Sequence, residues 1–341
     1  MTEALGRMLA ASASMKRTFA RIREVAATET SVVIQGETGT GKELVAEALH
    51  EGSPRASGPF VVVDCAAVAR ELVESELFGH VRGAFTGAVG DREGAFESAR
   101  AGTLFIDELG ELPLDLQPRL LRALERREVK RVGDDRTRPV DCRVVAATNR
   151  DLRREVEAGR FREDLFYRLA VVELSLPPLR ERPDDIELLT RKFLEEVSFF
   201  GPLELGEATL ERLKTHAWPG NVRELRNTIE RAATLSDGAL RLPSDFGEDA
   251  DLHDPPGADP GSGVGLRSDD DVAPPSPPGS VTRPLWEGRS FKDAKQAVTE
   301  DFERGWLEDL LERHGGNVSA AAREAGVHRN IIHRMIAKYR A

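Results

Sequence analysis

Seven consecutive residues, Gly36-Glu37-Thr38-Gly39-Thr40-Gly41-Lys42, combine small, flexible positions with a single cation, a pattern suited to holding a polyphosphate. They follow the apolar run Val32-Val33-Ile34 and open a helical stretch over 42–50, the strand–loop–helix setting in which a GxxxxGK string is credible. Glycines let backbone N–H groups wrap phosphate oxygens, and the helix N-terminus adds favourable dipole potential. Lys42 is placed to contact the β- and γ-phosphates of ATP. A second run, Thr103-Leu104-Phe105-Ile106, ends in Asp107 and Glu108. Open α/β sheets bind ligands at that edge, so Asp107 is the candidate magnesium-associated acid and Glu108 the candidate that polarises the attacking water. A third run, Arg143-Val144-Val145-Ala146-Ala147, ends in Thr148 and Asn149, which could sense the γ-phosphate; alone, Thr-Asn after a strand is often just a turn. Glu43 stands where the general pattern has a magnesium-ligating Ser or Thr, which leaves Asp107, or waters it holds, with more of the Mg2+ coordination.

The elements that must position these residues are legible as an alternation. From about 17 to 176, buried apolar runs at 32–34, 60–63, 103–106 and 143–147 alternate with helix-like stretches at 42–50, 68–78, 115–127 and 151–157. Continuous apolar strands separated by helices predict an α/β fold, a parallel sheet covered on both faces, over 1–176. Pro177-Pro178 marks a break, and the helical stretches 184–200, 207–216 and 221–236 predict a small helical subdomain over 177–246. Residues 247–289 read as a disordered linker rich in Pro, Gly, Asp and Ser, because such a composition buries too little apolar surface to offset its ordering entropy. Helical patterning resumes over 290–341, and no internal repeat is visible.

Composition narrows the class. Of the 341 residues, 40% are hydrophobic and 31% charged, as in a soluble globular protein. No apolar run is long enough to span a bilayer and MTEALGRMLA lacks the pattern of a secretory signal, so the expectation is a cytoplasmic protein with no membrane partner. Cys65 and Cys142 are the only cysteines, and their apolar settings suggest buried free thiols. The net charge of −11 argues against non-specific nucleic-acid binding by the whole chain, but it is unevenly spread. Residues 247–281 hold eight acids against Arg267 alone, whereas 313–341 hold six Lys or Arg against Glu324 alone. Only the tail suits phosphate contacts.

That tail reads as a helix-turn-helix: a long helix over 291–313, a break at Gly315-Gly316, a short helix over 318–325, a turn at 326–328 and a last helix over 329–339. Val327, Ile332 and Ile336 would face its core, leaving Arg329, Asn330, His333, Arg334 and Lys338 exposed to read DNA. A basic solvated helix in a dimerisation module is the competing reading of this segment alone.

Between the second strand and the acidic strand lies Gly83-Ala84-Phe85-Thr86-Gly87-Ala88, small residues around one aromatic, which reads as a mobile loop with an apolar tip. The string GAFTGA matches the signature loop of sigma-54-dependent transcription activators, also called bacterial enhancer-binding proteins, which are AAA+ ATPases. The chain resembles this family from about residue 10 to its end. The matching strings are GETGTGKE (36–43), ESELFGHVRGAFTGA (74–88), GTLFIDELGEL (102–112), AATNRDL (146–152), FREDLFYRL (161–169), LPPLRER (176–182), WPGNVREL (218–225) and a Fis-like GGNVSAAAREAGVHRN (315–330).

The resemblance implies an AAA+ fold with a helical lid and a helix-turn-helix domain. It implies ATP bound with Mg2+ between subunits of a homo-oligomeric ring, a hexamer by resemblance. It implies that 83–88, with Phe85 and Thr86 at its core, contacts sigma-54 RNA polymerase. Arg162 and Arg168 resemble arginine fingers reaching a neighbour's nucleotide, and Arg223 resembles the lid arginine that senses nucleotide in its own subunit. The family places Glu after the Lys, as here. It usually has Asn, however, where this chain has Asp64, and that residue can hold the catalytic Glu in an inactive pose. An Asp beside Glu108 would repel it or raise one carboxylate's pKa, altering the switch, unless Asp64 is hydrated and silent. The function implied is ATP-driven remodelling of the sigma-54 polymerase from closed to open complex by a protein tethered to upstream enhancer DNA. Two alternatives stand beside it: a DNA-binding regulator whose ATPase fold serves only assembly, and a chaperone-like AAA+ remodeller; the intact loop disfavours both. The phosphate loop begins at residue 36, so the sequence shows no regulatory domain before it, and the expectation is control in trans or an incomplete chain.

Overall fold

The computed structural model describes residues 2–197, 203–236, 239–243, 246 and 291–325, and positions 332, 335, 336 and 339. The linker expected at 247–289 lies outside the described residues. The chain divides into two compact units, the first built from 1–198, 203–233 and 239–242 and the second containing the C-terminal helices.

The first unit opens with a hairpin, β1 (Glu3–Leu5) and β2 (Met8–Ala10), followed by α1 (Ala13–Ala26). Ser12 caps α1 by accepting from the Met15 N–H, and Met15, Phe19, Ile22 and Ala26, spaced four, three and four apart, form its buried face. The central sheet contains β3 (Val32–Gln35) and β4 (Phe60–Asp64), joined through α2 (Lys42–Glu51). After β4 come α3 (Arg70–Phe78), the short pair β5 (Gly79–His80) and β6 (Arg92–Glu93), and α4 (Ala95–Ser98). The acidic strand β7 (Thr103–Asp107) leads to α5 (Gln117–Arg126), the hairpin β8 (Glu128–Lys130) and β9 (Thr137–Pro139), and β10 (Arg143–Thr148). Helices α6 (Leu152–Glu157) and α7 (Glu163–Leu169) precede β11 (Val172–Ser175).

The sheet runs β11-β3-β10-β7-β4, parallel throughout. Its central strand β10 is buried at every position, which explains the unbroken apolar run there. Two cores cover the faces, one including Phe19, Ile22 and Leu49 and the other Leu77, Phe96 and Leu165. The four strands expected from the sequence are present. The fifth, β11, lies outside the sequence expectation because it is an edge strand: only Leu174 is buried, so no apolar run marks it.

Three helices complete this unit: α8 (Pro183–Val197), α9 (Glu207–Thr215) and α10 (Asn221–Leu235). Asp185, fully buried in α8, accepts from the Ala11 N–H (2.6 Å), the Ser12 N–H (2.7 Å) and the Ser12 hydroxyl (2.8 Å), tying the lid to the start of α1. Among the described residues, no helix is long and apolar enough to cross a membrane. Cys65 and Cys142 are free thiols; burial pushes them up to about 12 and about 11, so neither is a nucleophile near neutral pH.

In the second unit, α11 (Phe291–Arg313) and α12 (Val318–Glu324) are described. Asn317 caps α12 by accepting from the Ala320 N–H, and Leu307, Leu310, Ala321, Ile332 and Met335 share a core that Ile336 borders. Ile332 and Ile336 therefore sit inward, as expected.

Candidate nucleotide site and projecting loop

The phosphate loop turns where only glycine is comfortable. Gly39 (φ 77°) and Gly41 (φ 104°) both lie in the left-handed region, and Gly41 caps α2 without a side chain. A Cβ on Gly39 would stand 2.2 Å from the Gly220 carbonyl oxygen, so the lid closes directly on the loop. The Gly39 carbonyl accepts from the N–H groups of Val222 (3.0 Å) and Arg223 (3.3 Å) at the start of α10.

Lys42 is 7% exposed; its Nζ donates to the Gly36 carbonyl (3.1 Å) and lies 3.3 Å from Glu108 Oε1. The other Glu108 oxygen accepts from the Asn149 N–H at 3.2 Å. Asn149 Nδ2 donates to Thr38 Oγ1 (3.3 Å), and the Gly36 N–H donates to the Thr148 carbonyl (3.2 Å). The ends of β3, β7 and β10 thus converge on one carboxylate and one ammonium. Glu108 itself adopts a left-handed backbone (φ 46°, ψ 49°), rare for a non-glycine residue and a strain expected at a working site.

Asp107 stands beside it. Burial, with the neighbouring Glu108 and Asp64 carboxylates, holds its pKa above the ordinary aspartate value against the Glu108 N–H bond and the Lys42 charge. One oxygen accepts that N–H (2.9 Å), and among the described residues no hydrogen bond reaches the second. A half-buried carboxylate with such an oxygen fits a hard cation also held by phosphate oxygens. Among the described residues, no group of three His, Cys, Asp or Glu could hold a metal by itself.

Asp64 pairs in register with Asp107 across β4 and β7. Its Oδ1 accepts from the Ala66 (2.8 Å) and Ala67 (3.2 Å) N–H groups, so the carboxylate caps the turn after β4. It weighs on Asp107 as the smallest of the causes that shift that residue.

The loop 83–88 is framed by β5 and β6. The Gly83 N–H donates to the Ala88 carbonyl (2.9 Å) and the Ala88 N–H to the Phe85 carbonyl (3.0 Å), while Gly83 (φ 80°) and Gly87 (φ 106°) have open space where a side chain would lie. The expected apolar tip needs correction: Phe85 is half-buried, its ring edge-on to the buried His80 ring at 5.0 Å, and the exposed apolar side chain is Val89, at 84%. Thr86 is exposed and Ala84 packs against Gly133.

Family models match three consecutive stretches: Sigma-54 interaction domain over 8–175, AAA+ ATPase lid domain over 180–259, and Bacterial regulatory protein, Fis family, over 299–339. The chain is 44% identical over 331 residues, 96% of its length, to the anaerobic nitric oxide reductase transcription regulator NorR of Citrobacter koseri, and equally to that of Salmonella typhimurium. It spans 62% of the length of those regulators. Among solved structures it resembles NtrX from Brucella abortus: 32% identity and TM-score 0.65, over 96% of this chain and 68% of that one. In complex with ATP, NtrX aligns at 30% identity and TM-score 0.65, over 98% of this chain and 69% of that one. The chain belongs to the family of sigma-54-dependent transcription regulators.

Within that family frame, the other expected residues fall in distinct places. Arg223 lies exposed beside Gly39. Glu43, one residue past Lys42, lies exposed in the first turn of α2. Arg162 pairs with Asp164 (2.7 Å) before α7, and Arg168 donates to the Leu124 carbonyl (3.1 Å). Arg168 also borders a cavity of about 190 Å³ with Glu29, Thr30 and Arg143, residues at the opposite end of the sheet from the phosphate loop. Neither arginine is part of the group around Lys42 in its own chain. Arg329, Asn330, His333, Arg334 and Lys338 lie outside the described residues.

Three residues at the regulator's lid escape the sequence reading. Arg180 forms a double ion pair with Glu37 (2.5 and 2.7 Å), holding that carboxyl below its ordinary value. Asn221, fully buried at φ 52°, accepts from the Leu179 N–H (2.7 Å) and donates to Glu37 (3.1 Å) and the Thr38 carbonyl (3.0 Å). Arg182, 3% exposed, donates to the Thr40 carbonyl (3.2 Å), while its buried Nε has no hydrogen-bond partner among the described residues. All three lie within LPPLRER and WPGNVREL, strings whose individual roles depend on contacts more than a hundred residues away.

Proposed function

We propose that this chain is an ATP-hydrolysing activator of sigma-54 RNA polymerase, of the cytoplasm, acting as a homo-oligomeric ring, a hexamer by family resemblance, tethered to enhancer DNA. ATP is the substrate. The backbone of Gly36–Gly41 and Lys42 would hold its phosphates, Asn149 would sense the γ-phosphate, and Arg223 would report occupancy to the lid. Asp107 would hold Mg2+, which neutralises charge on the phosphate oxygens. Glu108 takes a proton from water as the water oxygen bonds to the γ-phosphorus and the bond to the leaving ADP oxygen breaks. Arg162 and Arg168 of the partner subunit would complete the charge balance, which accords with their separation from Lys42 in their own chain.

Continuity is the observation that carries this reading. The chain runs from Asp64, in register with Asp107, through α3 and β5 into 83–88. A change at the acidic edge would reach Phe85 and Thr86 along this stretch of chain. The tail residues Arg329, Asn330, His333, Arg334 and Lys338 would read DNA, and the boundaries 1–176, 177–246, 247–289 and 290–341 would separate motor core, lid, linker and DNA reader. Glu108→Gln should keep ATP binding and lower turnover at least about 100-fold, while Phe85→Ala should keep turnover and lose capture of sigma-54. Capture by Phe85→Ala equal to the parent would overturn the assignment of the loop.

A further inference from the structure

Residues 119–131 hold six Lys or Arg and two Glu within a chain of net charge −11. Three of the cations, Arg119, Arg122 and Arg126, recur at i, i+3 and i+7 along α5, whose buried residues are Gln117, Leu120 and Ala123. Like charges one turn apart cost a helix a few tenths of a kcal/mol per pair, so folding alone does not favour this stripe.

Together with Lys130 and Arg131 they border a cavity of about 630 Å³. Two of the five are already engaged. Arg119 pairs with Glu74 and stacks over the Phe78 ring at 4.7 Å; Arg131 pairs with Glu97 at 2.7 Å. Arg122, Arg126 and Lys130 are exposed, and among the described residues no ion pair or hydrogen bond reaches their side chains. That contrasts with the many arginines here held by a carboxylate, such as Arg7, Arg55, Arg153, Arg160 and Arg226. The carboxylates facing the cavity are Glu128 and Asp134, and Asp134 is itself held by Arg138 at 2.9 Å.

The cavity is fastened to the stem of the projecting loop. The Val81 N–H donates to the Val132 carbonyl (3.1 Å), the Val132 N–H to the Gly79 carbonyl (2.8 Å), and a Cβ on Gly133 would meet Ala84 Cβ at 2.9 Å. A ligand seated against Arg122 and Lys130 would lie beside 83–88.

We propose that Arg122, Arg126 and Lys130 form a second nucleic-acid contact, a sequence-independent seat for the phosphate backbone of duplex DNA beside the loop, separate from the C-terminal reader. Guanidinium forks match phosphate oxygens, and cations without intramolecular partners keep their charge for a polyanion. The placement of DNA near the loop rests on the function proposed above; duplex binding itself does not, and it is measured without polymerase.

The test uses the full chain with Arg329→Gln, Arg334→Gln and Lys338→Gln to silence the tail. A fluorescent 20-base-pair duplex is titrated by anisotropy across about 0.05–0.2 M salt. Binding should persist in this background. Adding Arg122→Gln, Arg126→Gln and Lys130→Gln should weaken it at least tenfold and reduce the log–log salt slope by about 2–3, since each lost phosphate contact removes about 0.9. The corresponding Arg→Lys changes should retain binding, and ATP turnover should not move. The proposal is overturned if the silenced background does not bind duplex, or if the three neutral substitutions leave binding unchanged. It is likewise overturned if sedimentation shows that they break subunit assembly, or if they abolish capture of sigma-54 protein while duplex binding stays intact.

Discussion

Asp107 and Glu108 are adjacent carboxylates in different situations: Glu108 is engaged by Lys42 and the Asn149 N–H, whereas Asp107 is partly desolvated and accepts the Glu108 N–H through one oxygen. Because burial raises the Asp107 pKa, its contribution to stability is present below the ordinary aspartate value and is lost as pH rises through the raised one. Asp107→Asn should therefore raise the melting temperature at pH 7, lose that advantage as pH falls towards 4, and abolish Mg2+-dependent turnover; a lower melting temperature at pH 7 would contradict the assignment. Asp64 supplies a second prediction. Its carboxylate caps a turn, a role Asn can also fill through its side-chain oxygen, so Asp64→Asn should preserve melting and change the ratio of sigma-54-stimulated to basal ATPase. Identical ratios would leave Asp64 as a cap alone. Asp107, Glu108 and Asn149 were legible because each stands at or just past the end of an apolar strand. The half-burial of Phe85 was not, because His80, its partner, carries no sign of ring packing in the sequence.

Among the elements, the contact between the phosphate loop and α10 decides how nucleotide and lid communicate. Gly39→Ala places a methyl 2.2 Å from the Gly220 oxygen at a backbone angle that disfavours any side chain, so α10 must move. The expected result is at least a tenfold rise in the ATP Kd with the central sheet still folded, checked by nucleotide titration beside circular dichroism. Asn221→Ala removes the acceptor for the Leu179 N–H and donors to Glu37 and Thr38, and should cost about 2–4 kcal/mol in denaturant unfolding because buried partners lose their bonds. Arg182 holds the back of the same loop through Thr40. Buried strands and amphipathic helices could be read from periodicity; this interface could not, since it joins segments far apart in sequence through backbone groups that every residue carries.

At the level of the whole molecule, Arg162 and Arg168 contribute nothing to the Lys42 site of their own chain, which suits a site completed across a subunit boundary. Mixing inactive Lys42→Ala subunits with inactive Arg162→Ala subunits should restore part of the ATPase, because some boundaries would join an intact pocket to an intact arginine; a mixture as inactive as its components would place the finger elsewhere. The parallel sheet was legible from its apolar runs, whereas an arrangement of subunits leaves no periodicity in one chain. The most direct test is promoter opening, followed by the reactivity of unpaired bases on a sigma-54 promoter with ATP and the purified chain. Opening by the parent chain, and none by Phe85→Ala with its ATPase intact, is the predicted result. ATP turnover by the parent without opening, or equal opening by Phe85→Ala, would contradict the account.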